Sequence, residues 1–143
     1  FELQLNYQLF ESLSLLLQTN IIDTEIESSF VAFDKNKLPG IYHQQYSVAL
    51  KYQVNEAWQL SFKTSQDKEL YFNLINKFQN DESGLGNGPP SDRTVSDLSI
   101  YWKQGAHRVS FSANNMFNDQ YKDLANRTSQ GRSFQIKYTI EGL

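Results

Sequence analysis

Apolar and polar residues alternate strictly near the end of the chain. Val109, Phe111 and Ala113 share one side of this segment, and Ser110 and Ser112 share the other. Side chains on a β-strand point to opposite faces with a period of two. The segment is therefore predicted to be a strand with one apolar face and one polar face.

Seven segments of this kind follow one another, which predicts an all-β chain of consecutive antiparallel hairpins. In chain order, their apolar sides carry Leu3, Leu5, Tyr7 and Leu9; Leu13, Leu15, Leu17, Thr19 and Ile21; Tyr46, Val48, Leu50, Tyr52 and Val54; Trp58, Leu60 and Phe62; Leu98, Ile100 and Trp102; Val109, Phe111 and Ala113; and Phe134, Ile136, Tyr138 and Ile140. The opposite sides are rich in Gln, Ser, Asn and Lys. Such sides suit the wall of a wet lumen.

The connections between these segments are alternately short and long. In chain order they are Phe10–Ser12, Asp23–Tyr42, Asn55–Glu56, Asn73–Arg93, Gly105–Ala106 and Asn118–Gln130. Outer-membrane barrels have short periplasmic turns, long extracellular loops and aromatic girdles. Tyr7, Trp58 and Trp102 flank the short turns, as girdle residues would. The pattern therefore predicts part of a transmembrane β-barrel, with the short turns in the periplasm and the long loops outside the cell.

Composition is compatible with this prediction. The 143 residues suggest one domain, and mean hydropathy is −0.56. No apolar run approaches the ~18 residues of a transmembrane helix, but a barrel shows lipid only every second residue. The net charge is −3, without a basic stripe, so no nucleic-acid partner is expected.

Closed bacterial barrels have an even number of strands. Seven segments therefore suggest that further strands precede residue 1.

Catalytic and metal chemistry are not expected. The chain has no cysteine and two histidines, His43 and His107, which the predicted layout places apart with ordinary surface roles. No nucleophile–base–orienter set comes within reach, and the acidic loop residues lack the spacing of a calcium loop. We therefore expect no enzyme activity, metal or cofactor. Asn114 and Asn115 are instead predicted to hold a turn through their side chains.

Four short segments resemble TonB-dependent outer-membrane receptors. Residues 115–121 read Asn-Met-Phe-Asn-Asp-Gln-Tyr, similar to the end of that family's penultimate barrel strand, with Met116 where Leu is usual. Residues 131–134 read Gly-Arg-Ser-Phe, similar to the opening of its last strand. Residues 1–5 and 38–43 resemble earlier strand openings, with Tyr replacing a Pro in the second. The chain departs from the family in ending on Leu rather than on an aromatic residue.

The resemblance implies that residues 1–143 form the C-terminal segment of a barrel of about 22 strands with a plugged lumen. The plug domain and its TonB-contacting segment would lie before this sequence. The implied function is import of a scarce ligand across the bacterial outer membrane: a ferric siderophore, haem, cobalamin or a glycan. The implied partners are the TonB complex, this ligand and outer-membrane lipid.

The resemblance also implies which residues face the ligand. The candidates are loop aromatic and polar residues: Phe30, Phe33, Tyr42, Tyr71, Phe72, Asn87, Arg93 and Tyr121. Two alternatives stay open. One is a small stand-alone outer-membrane barrel with a structural, adhesive or porin-like role. The other is a soluble lipocalin-like carrier, whose apolar side chains would face inward around a ligand.

Overall fold

A computed structural model describes residues 1–31, 34–71, 92–121 and 129–141. These residues form seven strands: β1 (Glu2–Phe10), β2 (Leu13–Ile21), β3 (Tyr42–Gln53), β4 (Trp58–Leu70), β5 (Arg93–Gln104), β6 (His107–Asn114) and β7 (Ser133–Ile140). The described residues contain no helix, and the prediction of an all-β chain is confirmed. No helix in this part of the chain is long and apolar enough to cross a membrane.

The strands form one sheet in the order of the sequence, and each pairs antiparallel with the next. The register keeps apolar residues on a common face across the sheet. Leu15 on β2 lies opposite Leu50 on β3, which lies opposite Phe62 on β4. Within the described ranges, β1 pairs with β2 alone and β7 with β6 alone, so this sheet is not closed. The pairing of each strand with the next confirms the predicted series of antiparallel hairpins.

The sheet curves around its polar face. Cavities of about 330, 580 and 240 Å³ lie on this side and are lined chiefly by its residues, among them Gln45, Ser61 and Lys137. Apolar side chains on the other face stay open, and Ile136, for example, is 74% exposed. The curvature therefore makes the polar face concave and the apolar face convex.

Side chains on the concave face bond to one another across strands. Gln18 Nε2 donates to Gln4 Oε1 at 3.0 Å, and Ser47 Oγ donates to Gln18 Oε1 at 3.2 Å. The three residues lie on β1, β2 and β3 at matching register positions. Amides and hydroxyls suit this face because each can donate to one neighbour and accept from another.

Aromatic rings meet on the convex face. The centroids of Trp58 and Trp102 are 6.3 Å apart beside the short turns, and those of Phe111 and Phe134 are 6.1 Å apart. These separations lie in the range preferred by aromatic pairs. Trp58 and Trp102 lie near strand ends, as expected of girdle residues.

Two strand boundaries differ from the sequence-based expectation. Tyr42 and Arg93 were expected in long loops, but they are the first residues of β3 and β5. β4 also continues to Leu70, beyond its alternating apolar part. Cross-strand partners sustain these extensions, since Tyr42 pairs with Leu70 and Asp67 pairs with Arg93.

Candidate functional site

Arg93 is the centre of a cluster at the long-loop end of the sheet. Its Nε donates to Asp67 Oδ2 at 2.6 Å, and Gln45 Nε2 donates to Asp67 Oδ1 at 3.2 Å. Asp67 is 5% exposed, so its carboxylate is largely removed from water. Buried charges are found where they are paired and hydrogen-bonded. Gln45 and Arg93 meet this requirement from the two neighbouring strands.

Two tyrosine rings lie against the guanidinium group of Arg93. Its Cζ is 4.8 Å from the ring centroid of Tyr42 and 5.2 Å from that of Tyr121. Both distances lie within the ~6 Å range of a cation–π contact. The contacts join β3, β5 and the connection after β6 around one positive charge. Such a charge, with aromatic surfaces beside it, suits an anionic or planar ligand.

The turn after β6 brings Tyr121 to this cluster. Asn115 has a φ of +48° and is buried, with its Oδ1 accepting from Asp119 N and its Nδ2 donating to Asp119 O, both at 2.9 Å. Its own N–H donates to Asp97 Oδ1 at 2.9 Å, and Asp119 Oδ2 accepts from Thr94 N at 2.9 Å. The predicted turn-holding role is confirmed for Asn115, and these bonds tie the connection to β5.

The prediction of a surface role for His43 is wrong. The residue is 2% exposed, and its ring lies between two limbs of the connection that joins β2 to β3. The first limb is residues 22–24 and the second is residues 37–38. Nδ1 is 2.9 Å from Ile22 O and Nε2 is 3.0 Å from Leu38 O, with the Tyr71 ring 5.4 Å away edge-on. The limbs bury His43 because their backbone carbonyls close over it. His107 is exposed, with Nδ1 2.6 Å from Tyr138 Oη, as its predicted surface role requires.

An ion pair joins the same two limbs farther from the sheet. Lys37 Nζ bonds to Asp23 Oδ1, and this bond and the lysine's charge hold the pKa of Asp23 below its ordinary value of 3.8. The same bond raises the pKa of Lys37 above 10.5. Leu38 N donates to Thr24 Oγ1 at 2.9 Å beside the pair. The two limbs are thus joined by the Asp23–Lys37 ion pair, by the Thr24–Leu38 hydrogen bond and through the His43 ring.

The structure brings together three of the eight predicted ligand-facing residues. Tyr42, Arg93 and Tyr121 form the cluster, whereas Tyr71 lies against His43. Phe30 lies on the connection between β2 and β3 and is 69% exposed. Three further candidates lie outside the described residues: Phe33, Phe72 and Asn87.

Sequence reasoning missed Asp67, although it holds the central arginine. Its signal would have been the pairing of β4 with β5, which sets Asp67 opposite Arg93.

Among the described residues, no group of three or more His, Asp and Glu side chains could hold a metal ion. The cluster consists of aromatic rings, an amide and one ion pair, which suits binding.

One comparison with known proteins bears on the fold. Neither a protein-family model nor a curated protein matches the sequence. The chain is similar in structure to the siderophore receptor PiuA from Acinetobacter baumannii, with a TM-score of 0.74 and 13% identity. The match covers 97% of this chain and 21% of that receptor, so the chain spans about a fifth of the receptor's length. The likeness shows that the chain shares the β-fold of that part of the receptor.

Proposed function

We propose that this chain is barrel wall and extracellular loop of a TonB-dependent outer-membrane receptor that imports a scarce ligand. The observation that carries the proposal is the curvature of the sheet, which has a concave polar face and an exposed apolar face. A barrel wall in a membrane needs apolar side chains toward lipid and polar ones toward the lumen. A lipocalin-like carrier needs the reverse. The likeness to part of a siderophore receptor supports the same proposal.

In this proposal the ligand contacts the long-loop end of the sheet, around Arg93. Tyr42 and Tyr121 flank its guanidinium group, and Asp67 and Gln45 fix its position. Such a group favours an anionic ligand with planar parts, and among the expected ligands a ferric siderophore with carboxylate or catecholate groups fits best. Phe30, Phe33, Tyr71, Phe72 and Asn87 are further proposed contacts on the same long connections.

Uptake by cells carrying the full-length protein tests the function. Cells with and without a working TonB complex are supplied with radiolabelled ferric siderophores, haem, cobalamin or a glycan. The proposal expects uptake of one ligand class that stops when TonB is inactivated. Uptake that continues without TonB would point to a porin-like barrel. Recovery of the protein in the soluble fraction would point to the carrier.

An arginine substitution tests the site. Arg93→Lys keeps the charge but loses the planar guanidinium group that contacts Tyr42 and Tyr121, so ligand affinity should fall about tenfold, as expected for a loss of ~1.4 kcal/mol. Arg108→Lys is the matched control, because Arg108 is also ion-paired, with Glu141, but lies at the short-turn end. Equal affinities of the two variants would place the ligand elsewhere.

A further inference from the structure

One cavity on the concave face reaches from the Arg93 cluster to a second cation. Its volume is about 330 Å³, and it is lined by Arg93 and Asp67 at the long-loop edge and by Lys63 on the other side. Lys63 comes four residues before Asp67 on β4, so the two lie about 13 Å apart along the strand at ~3.3 Å per residue. Because the spacing is even, both side chains are on the same face of the sheet.

The positive charge of Lys63 is not offset by an ion pair. The side chain is exposed, and its ammonium group bonds to none of the residues that the structure describes. Asp97 lies directly opposite on β5, but its Oδ1 accepts from Asn115 N at 2.9 Å. Arg93, by contrast, is bonded to the buried carboxylate of Asp67, which offsets part of its charge. Lys63 therefore supplies the open positive charge of the cavity.

The floor of the cavity between the two cations is made of neutral polar side chains. They are the amides and hydroxyls of Gln18, Asn20, Ser47 and Ser65. Each of these groups can donate and accept, so the floor can bond to amide or hydroxyl groups of a ligand. Glu2 adds a carboxylate from β1, three strands away from Lys63. The cavity therefore suits a polar linker, and an anionic group on it is drawn to the β4 side.

We infer that this cavity binds an acidic arm of the ligand and that Lys63 takes the carboxylate or similar anionic group at the end of the arm. The inference rests on the proposed function and deepens it, because it names the class of ligand. Such a ligand has a planar group for Tyr42 and Tyr121 beside Arg93, a linker with amide or hydroxyl groups, and an anionic end about 13 Å from the planar group.

A matched pair of synthetic probes tests the requirement for an anionic end. Dihydroxybenzoyl-triglycine has a planar catechol, a peptide linker that spans about 10 Å when extended, and a terminal carboxylate. Its carboxamide differs only in lacking the negative charge at that end. Equilibrium dialysis against the full-length protein in detergent micelles should show about tenfold tighter binding of the carboxylate, as one charge-assisted hydrogen bond allows. Equal binding of the two probes, or binding of neither, would overturn the inference without the use of any variant.

Variants then test whether Lys63 is the residue that distinguishes the probes. Lys63→Gln should abolish the difference between them, whereas Lys68→Gln, on the opposite face of the same strand, should keep it. Arg93→Lys should weaken both probes alike, because they share the planar group. A difference that persists in Lys63→Gln would overturn the role of Lys63.

The result is separable from the test of import. If the difference depends on Lys63 but uptake continues without TonB, the binding site stands and the proposed import function fails. If uptake requires TonB but the probes bind equally, import stands and this cavity is not the site of an acidic arm.

Discussion

Asn115 holds the turn after β6 through its side chain and its backbone at once. Its amide makes both bonds to Asp119, and its positive φ is one that Asn tolerates better than most residues. The pattern around residues 115–121 predicted a turn held by asparagine, but the partner Asp119 emerges only from the fold. This residue therefore fixes the path of the chain toward Tyr121.

Replacing this side chain should destabilise the protein. In Asn115→Ala, the partly buried N–H and C=O of Asp119 lose their partners and alanine keeps an unfavourable φ, so the free energy of unfolding should fall by about 1–3 kcal/mol. Thermal unfolding followed by circular dichroism measures the change. Asn114→Ala is the control, since Asn114 is exposed and makes one long bond, 3.4 Å, to Ser133 Oγ. A loss as large in the control would contradict the role of Asn115.

The connection between β2 and β3 responds to acid through the carboxylate of Asp23. The pKa of Asp23 is lowered by Lys37, so their pair stabilises the fold above pH 3.8 and is lost as pH falls through the lower folded pKa. The Leu38 amide next to the pair should therefore lose protection from exchange below this value.

A substitution at Asp23 checks the assignment. Asp23→Asn removes the titrating carboxylate, so the loss of Leu38 protection in acid should disappear. Glu25→Gln is the control, because Glu25 is an exposed acid on the same connection. If Glu25→Gln abolishes the acid response and Asp23→Asn does not, the response comes from Glu25 and not from the pair of Asp23 with Lys37.

The strands differ in how far their pairing could be predicted. Alternation fixes which face each residue takes, and a short turn such as Gly105–Ala106 fixes the register of its hairpin, so β5–β6 follows from the sequence. A long connection sets no register. The pairing of Asp67 with Arg93, on which the candidate cluster depends, therefore required the structure. The burial of His43 escaped prediction for the same reason, because it depends on how the limbs of a long connection close.

The convex face of β3 should tolerate charge poorly in a membrane. Leu50→Lys places an ammonium group on this face, at a cost that reaches about 2–4 kcal/mol at the bilayer midplane and falls toward the interfaces. The amount of heat-modifiable protein in outer-membrane fractions should fall accordingly. Ser99→Lys, two strands away at nearly the same height, should be tolerated because Ser99 lies on the polar face between Ser61 and Ser112. Equal losses from the two variants would contradict the assignment of faces.

The two ends of the sheet differ in a way that predicts sidedness. Short turns close one end, where β1–β2, β3–β4 and β5–β6 meet, and the long connections leave the other. The proposed barrel has its long loops outside the cell and its short turns in the periplasm. This chain has no cysteine, so single cysteines introduced into it report their own positions.

Ser29→Cys and Glu56→Cys test the two ends in the full-length protein, with the unsubstituted protein as background. Both positions are exposed, Ser29 on the β2–β3 connection and Glu56 in the β3–β4 turn. A maleimide too large and too polar to cross the outer membrane should label Ser29→Cys on intact cells. It should label Glu56→Cys only after that membrane is permeabilised. The opposite pattern would invert the barrel, and labelling of both on intact cells would exclude a membrane-spanning sheet, because these residues lie at its opposite ends.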